Sequence, residues 1–260
     1  MLKFFENLKK YFFYSVYSAK SDLKSEVANS YLNWFWWILD PLAFTLIYIF
    51  IGKVVFKSAE DYFPAFVLIA LTSWNFFNLM LSGSVKAIRD HKHITSKIYV
   101  PKYILLLQKS FVYLFKSLIS YTLIFILLFI LKVPITINIL WFLPLLLLLY
   151  LISFGISLFL LHFGVYVEDL FNLTNITLKI VFYLTGIFYD IGSRVPAPFN
   201  KILLTCNPIA FIIDQMRNVM LYEKGLNIKY YLIWLAISIV LIITGIHIVQ
   251  KHENYYAKIS

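Results

Sequence analysis

Six apolar stretches, each long enough to cross a bilayer, restrict this chain more than any other feature: 34–52, 63–85, 110–131, 140–167, 173–189 and 230–249. A hydrocarbon core takes roughly 20 residues as helix, because each residue rises about 1.5 Å and every backbone polar group must be bonded within the segment. The composition offers these stretches no soluble alternative. Hydrophobic types make up 61% of the 260 residues and charged types 14%, against roughly 45–50% and about 25% in soluble domains. The chain is therefore predicted to be an all-α integral membrane protein of one domain, 1–260, with six transmembrane helices: spans one to five within 34–189 and span six at 230–249. An ordinary cytosolic enzyme is excluded. Cys206, the single cysteine, forms no internal disulfide.

An even number of spans puts both termini on one side, and the basic residues choose the side. With the termini cytoplasmic, the inner segments carry thirteen Lys and Arg and the outer ones eight; Lys116 and Lys179 fall inside spans. The bias predicts both termini in the cytoplasm and the protein in the cytoplasmic (inner) membrane. The formal charge of +10 then points to cytoplasmic loops and anionic membrane lipids rather than nucleic acid.

Two segments are helical in pattern without spanning. Phe5, Leu8, Phe12 and Val16 recur at helical spacing while Lys3, Glu6, Lys10 and Lys20 fall elsewhere. Residues 1–30 thus read as an amphipathic helix along the cytoplasmic interface, not a cleavable signal; a frayed basic terminus is the plainer alternative. Between spans five and six, 195–222 holds two short apolar runs divided by Asn207-Pro208 and preceded by Pro196 and Pro198. Runs of roughly 10–14 residues suit re-entrant or interfacial helices, and proline enforces a break. A re-entrant hairpin is predicted, the alternative being two helices resting on the outer leaflet. Asp214 and Arg217 are placed to pair across one turn.

Polar side chains inside the spans fall in stripes. Asn172, Asn175, Lys179, Tyr183, Gly186 and Asp190 are three or four apart, so they share one helical face. A lysine within a span costs roughly 2.5–3.5 kcal/mol on insertion scales and should face water, a counter-charge or another helix. Span one has a similar face in Asn33, Trp37, Asp40, Phe44 and Tyr48, and span two offers Asn75, Asn78, Ser82 and Arg89. Amides, hydroxyls and aromatic rings together suit a carbohydrate, whose CH faces stack while its hydroxyls exchange hydrogen bonds. Spans one and five are the candidate translocation path. Helix–helix contact is the alternative for span five, and an interfacial aromatic belt is the simpler reading of Trp34 and Trp36.

Catalytic chemistry is poorly represented. No Gly-rich phosphate-binding loop is present, so any ATP-driven work needs another polypeptide. His91 and His93 lack a supporting cluster of carboxylates or thiolates, and no metal site is expected. Glu168 and Asp169, an acidic pair at the inner mouth, diverge on a helix; capping the start of span five is the plain role.

Four stretches in order resemble the membrane subunit of the type-2 ATP-binding-cassette exporters, in the branch that moves capsular polysaccharide, O-antigen or teichoic acid. They are Ser21-Asp-Leu-Lys24 leading into YLNWFWWILDP (31–41), ITSKIYVPK (94–102), Val167-Glu-Asp-Leu170, and Gly186-Ile-Phe-Tyr189 followed by Pro196, Asn207-Pro208 and Arg217. Three positions depart from the family pattern: Asn33 and Gly186 stand where it has Gly and Pro, and Glu168 stands where it has Arg, reversing a charge.

The resemblance implies a homodimer bound to two copies of a separate ATPase, which would hold ATP and Mg; this chain itself binds no cofactor. It also implies that Arg89, Asp90, His91, Lys97, Tyr99, Pro101 and Lys102 couple to that ATPase through a short helix over 90–97, and that Tyr189, Pro196, Asn207, Pro208 and Arg217 belong to the hairpin. The expected function is export of a lipid-linked polysaccharide. A drug or lipid exporter of the same architecture is the alternative, and a membrane-embedded acyl- or glycosyltransferase is the alternative from another class.

Overall fold

A computed structural model describes residues 2–28, 31–52, 61–91, 100–253 and 255–256, the side chains of residues 2–5, 8 and 33 excepted. Among these residues every regular element is helical. In order they are α1 (Leu2–Val27), α2 (Trp36–Phe50) led by a 3-10 turn Asn33–Phe35, α3 (Phe63–Asp90), α4 (Lys102–Ile130), α5 (Phe142–Tyr166) led by a turn Ile137–Trp141, α6 (Leu170–Leu184), α7 (Ile191–Arg194), α8 (Phe199–Cys206), α9 (Pro208–Leu221) and α10 (Ile228–Lys251). Four of them, α3, α4, α5 with its leading turn, and α10, are long and apolar enough to cross a membrane.

The other two expected spans are shorter. α2 and α6 have 15 residues each, about 22 Å at 1.5 Å per residue, against a core of roughly 30 Å. Helical backbone nevertheless runs through 33–52, because α2 continues from its leading turn into a π turn at 51–52. Pro41 lies within it, and the Thr45 hydroxyl donates to the Pro41 carbonyl at 2.6 Å. α6 stops at Leu184, short of the expected 189, because Gly186 turns the chain with φ +64. That left-handed conformation is open to glycine and closed to proline, which accounts for the departure at this position. Gly186 and Asp190 therefore leave the stripe begun by Asn172.

α3 is the axis of the bundle. It packs against α2, α4, α5, α6 and α9, and Phe66, Val67, Leu68, Ile69 and Ala70 in succession are fully buried. Five consecutive residues cover every side of a helix, so α3 is enclosed by protein here. α5 lies between α3 and α10, where close approach depends on small side chains, as expected between helices in lipid. Ser157 donates to the Met80 carbonyl at 3.1 Å, and a Cβ on Gly164 would collide with the Val85 carbonyl.

α1 leaves the apolar face expected of an interfacial helix free and packs against α4 through another face. Its buried residues are Ser15 and Ala19. On that same face Asp22 accepts from the Gln108 amide at 2.8 Å and Glu26 from the Lys116 ammonium at 2.5 Å, both on α4. Phe12 and Val16 are exposed; Phe12 reaches only the rim, edge-on to Phe111 at 5.9 Å. Phe5 and Leu8 lie outside the described side chains. Small residues let the two helices approach, and the bulky residues are displaced to the margins.

Between α6 and α10 the chain makes the break expected at Asn207. Its side chain accepts from the amides of Ile209 and Ala210, and Pro208 opens α9. α8 has no buried residue, whereas α9 is enclosed by α3, α5 and α8. The ion pair envisaged for Asp214 and Arg217 gives way to other partners. Arg217 donates to the carbonyls of Phe66, Gly186 and Ile187 at 3.1, 2.8 and 2.7 Å and lies 3.3 Å from the centre of the Phe66 ring. Asp214 accepts from Gln215 and Asn218. The guanidinium takes the carbonyls left free where α6 unwinds, a stronger claim than a carboxylate already bonded to two amides.

Two outcomes follow. Gly164→Ala is expected to lose about 1–3 kcal/mol by forcing α5 from α3, read as a lower unfolding midpoint in detergent. Arg217→Met strands two loop carbonyls and is expected to lose about 3–5 kcal/mol; Arg217→Lys recovers part of it, since an ammonium lacks the planar fork.

Candidate functional site

The stripe on α2 opens onto a groove. Trp37, Asp40, Phe44 and Tyr48 line one wall of a cavity of about 490 Å³; Leu71, Thr72, Asn75 and Leu79 of α3 form the second, and Tyr113, Lys116, Ser117 and Ser120 of α4 the third. The residues of each wall fall one, three or four apart, so regular helix geometry gathers each row onto one broad face. Phe182 of α6 and Glu26 of α1 complete the lining.

Aromatic rings and polar groups alternate along this groove. Trp37 meets Phe115 edge-on at 5.8 Å, and the Lys116 ammonium lies 5.9 Å from the Trp37 ring. Tyr48 packs on Phe188 with centroids 4.3 Å apart. Thr72 is buried, yet its hydroxyl has no hydrogen-bond partner among the described residues. A ring wall with hydroxyls, amides and carboxylates at intervals can stack on an apolar face and exchange hydrogen bonds with a polyhydroxylated one.

Lys116 was legible only as an awkward charge within a span; the structure supplies its counter-ion in Glu26. One turn pair below, Lys109 bonds Asp90 at 3.0 Å and the Gly83 carbonyl at 3.3 Å. Lys109, Tyr113, Lys116 and Ser120 are spaced four, three and four, a stripe that sequence reading passed over and that periodicity would have found.

The α6 stripe points elsewhere. Asn172, Lys179 and Tyr183 are exposed and Asn175 half-buried, on the face opposite Leu173, Thr174, Thr177, Leu178 and Val181, which line an aliphatic cavity of about 600 Å³ shared with α3, α5 and α8. The two faces lie about 180° apart at roughly 100° per residue. α6 thus has an apolar groove on one side and an uncovered polar row on the other. Within one chain the two stripes approach each other at Tyr48 and Tyr183, which lie close enough to interact electrostatically. The Tyr183 carbonyl accepts from the Tyr189 hydroxyl at 2.9 Å.

The remaining candidates are scattered. Asp90 closes α3 rather than opening a short helix, and residues 92–99, with His93, Lys97 and Tyr99, lie outside the described residues. Arg89 is exposed, whereas Pro101 and Lys102 are buried, the Lys102 amide reaching the Glu253 carboxylate at 3.3 Å. The His91 ring contacts the Ala87 carbonyl at 2.9 Å, and burial holds its imidazole below the ordinary histidine range. Glu168 and Asp169 are exposed; Asp169 occupies the N-cap of α6 but its side chain makes no cap bond, because its own backbone is already helical at φ −77, ψ −5. Asn33 lies in the turn before α2, and Pro196 accepts from the Asn200 amide ahead of α8. Among the described residues no group of three His, Cys, Asp or Glu converges on a metal position.

Comparison with known proteins agrees with this architecture. Two O-antigen export system permease proteins RfbA of Klebsiella pneumoniae are each 27% identical to the chain, one over 255 residues and 97% of both chains, the other over 260 residues and 99% of both. The O-antigen export system permease protein RfbA of Myxococcus xanthus is 20% identical over 258 residues, 99% of both chains. The profile of the ABC-2 type transporter family matches residues 18–221. The chain, all-helical among its described residues, with four helices long and apolar enough to cross a membrane and matched to that profile over most of its length, belongs to the ABC-2 type transporter membrane family, whose members are the transport subunits of ATP-binding-cassette transporters.

Proposed function

We propose that this chain is the permease subunit of an exporter of lipid-linked polysaccharide in the cytoplasmic membrane, acting as a homodimer with two copies of a separate ATPase that holds ATP and Mg. The observation that carries this reading is the groove between α2, α3 and α4, where Trp37, Phe44 and Tyr48 alternate with Asp40, Asn75, Ser117 and Ser120. Full-length similarity to permeases that are named for O-antigen export supports the same class.

In this reading α2 and α6 complete six spans, both termini are cytoplasmic, α1 borders the inner interface, and α8 with α9 forms a re-entrant hairpin from the outer face. The uncovered row on α6 supports a two-chain path: an amide, an ammonium and a phenol on an apolar helix are costly against acyl chains, and a second copy facing the first would enclose them in a common conduit. The segment with Arg89, Asp90, His91, Lys97, Tyr99, Pro101 and Lys102 then carries the motion of the ATPase to the bundle. Closure of the ATPase dimer on ATP would change the separation of the two permease halves.

The test is reconstitution with the ATPase that co-purifies. Lys97→Glu is expected to leave ATP hydrolysis running while export stops; normal export at normal expression would remove the coupling role. A cysteine placed at Asn175 in a Cys206→Ser background is expected to cross-link between copies, and Lys179→Leu to lower export by about tenfold, the equivalent of about 1.4 kcal/mol. Absence of the cross-link in active transporter would contradict the shared path.

A further inference from the structure

The ion pair at the foot of the groove has features that helix packing does not call for. Lys116 sits midway along α4 with its side chain 22% exposed, while its partner Glu26, at the end of α1, is 49% exposed. Lys109 and Asp90 repeat the pattern one step nearer the end of α3, at 15% and 50%. In each pair the cation is the more buried partner and the carboxylate the more exposed one. An apolar pair of the same volume would join α1 to α4 at no greater cost, so retention of charge calls for another reason. The wall beside Lys116 holds further unspent capacity in the Thr72 hydroxyl, buried and without a partner among the described residues, whereas Ser117 and Ser120 already donate to the Leu114 and Lys116 carbonyls.

We infer that Lys116 is a recognition site for an oxyanion carried by the substrate, and that Glu26 is an exchangeable counter-ion which the substrate displaces. Exchange of one anion for another keeps the ammonium paired throughout, so no uncompensated charge appears inside the span at any stage. Trp37, beside the ammonium, supplies a ring for the sugar next to the anionic group, so charge and stacking are read together. Lys109 and Asp90 form the preceding station on the same helix face. This assignment rests on the polysaccharide-export reading and adds the chemical group by which the substrate is first held.

The test uses the full-length chain in nanodiscs of phosphatidylcholine, with inorganic pyrophosphate as the phosphate probe and glucuronate as the sugar-carboxylate probe. One of them is expected to raise the unfolding midpoint saturably, and which one does so identifies the source of the anion. Glu26→Gln is expected to tighten that binding about tenfold, the scale of one charge-assisted contact, whereas Glu26→Gln with Lys116→Gln abolishes it. In cells complemented with each variant, Lys116→Arg retains export, and Lys116→Met and the doubly neutral variant lose it while still co-purifying with the ATPase. Export at the wild-type level by either neutral variant, a response to neither anion by the wild-type or Glu26→Gln protein, or loss of co-purification that accounts for the lost export would overturn the assignment. Failure of the wild-type transporter to export any polymer would instead overturn the broader reading.

Discussion

In hydrocarbon a polar group finds its partner within the protein or costs several kcal/mol, and this constraint shapes the bundle from its centre outward. The Ser73 hydroxyl bonds the Ile69 carbonyl and the Tyr121 phenol, and both side chains approach the Met216 sulfur, which ties α3, α4 and α9 at one buried point. Ser110 and Tyr150 join α4 to α5 in the same way at 2.9 Å. The largest expression of the rule is Arg217. α6 ends early, and a guanidinium from a helix thirty residues away takes the carbonyls of Gly186 and Ile187 while stacking on Phe66. Through that contact the end of α6, the middle of α3 and the body of α9 become one unit.

The same rule organises the groove by exception. Its walls bring Asp40 and Asn75 onto an open volume, whereas the lining serines, Ser117 and Ser120, already donate to backbone carbonyls of their own helix. α6 divides the chain's surfaces by chemistry, with aliphatic side chains toward one cavity and amides, ammonium and phenol on the far side. A lipid-linked polymer has the same division within one molecule. In the proposed dimer, this correspondence is the reason for setting the faces of α2 and α6 on a common path.

Periodicity made the long helices legible, since four of the expected spans coincide with helices of full length, and it made the α2 row legible, since a helix face needs only spacing to be read. The break at Asn207-Pro208 was legible for a different reason: proline lacks the donor a continuing helix would require. The end of α6 was missed because Gly186 permits a turn without compelling one, and its left-handed conformation is held by Arg217 from afar. The face by which α1 meets α4 was not read from the sequence, because Ser15 and Ala19 are small and break no hydrophobic pattern, yet they are the residues that let the two helices approach. Asp169 stands where a cap belongs without acting as one, since side-chain direction follows backbone angles that spacing does not report.

What the amino-acid sequence determined by itself was the solvent: no arrangement of this many apolar residues survives outside a bilayer, and within one only helices of a certain length satisfy their own backbones. It determined also which residues share a helical face, because that is local geometry. The tertiary structure alone decided which faces meet. Glu26 against Lys116, Arg217 under the end of α6 and three polar rows around one groove join residues 30 to 151 positions apart, and such partners are chosen by packing distance and mutual satisfaction, which no local pattern encodes.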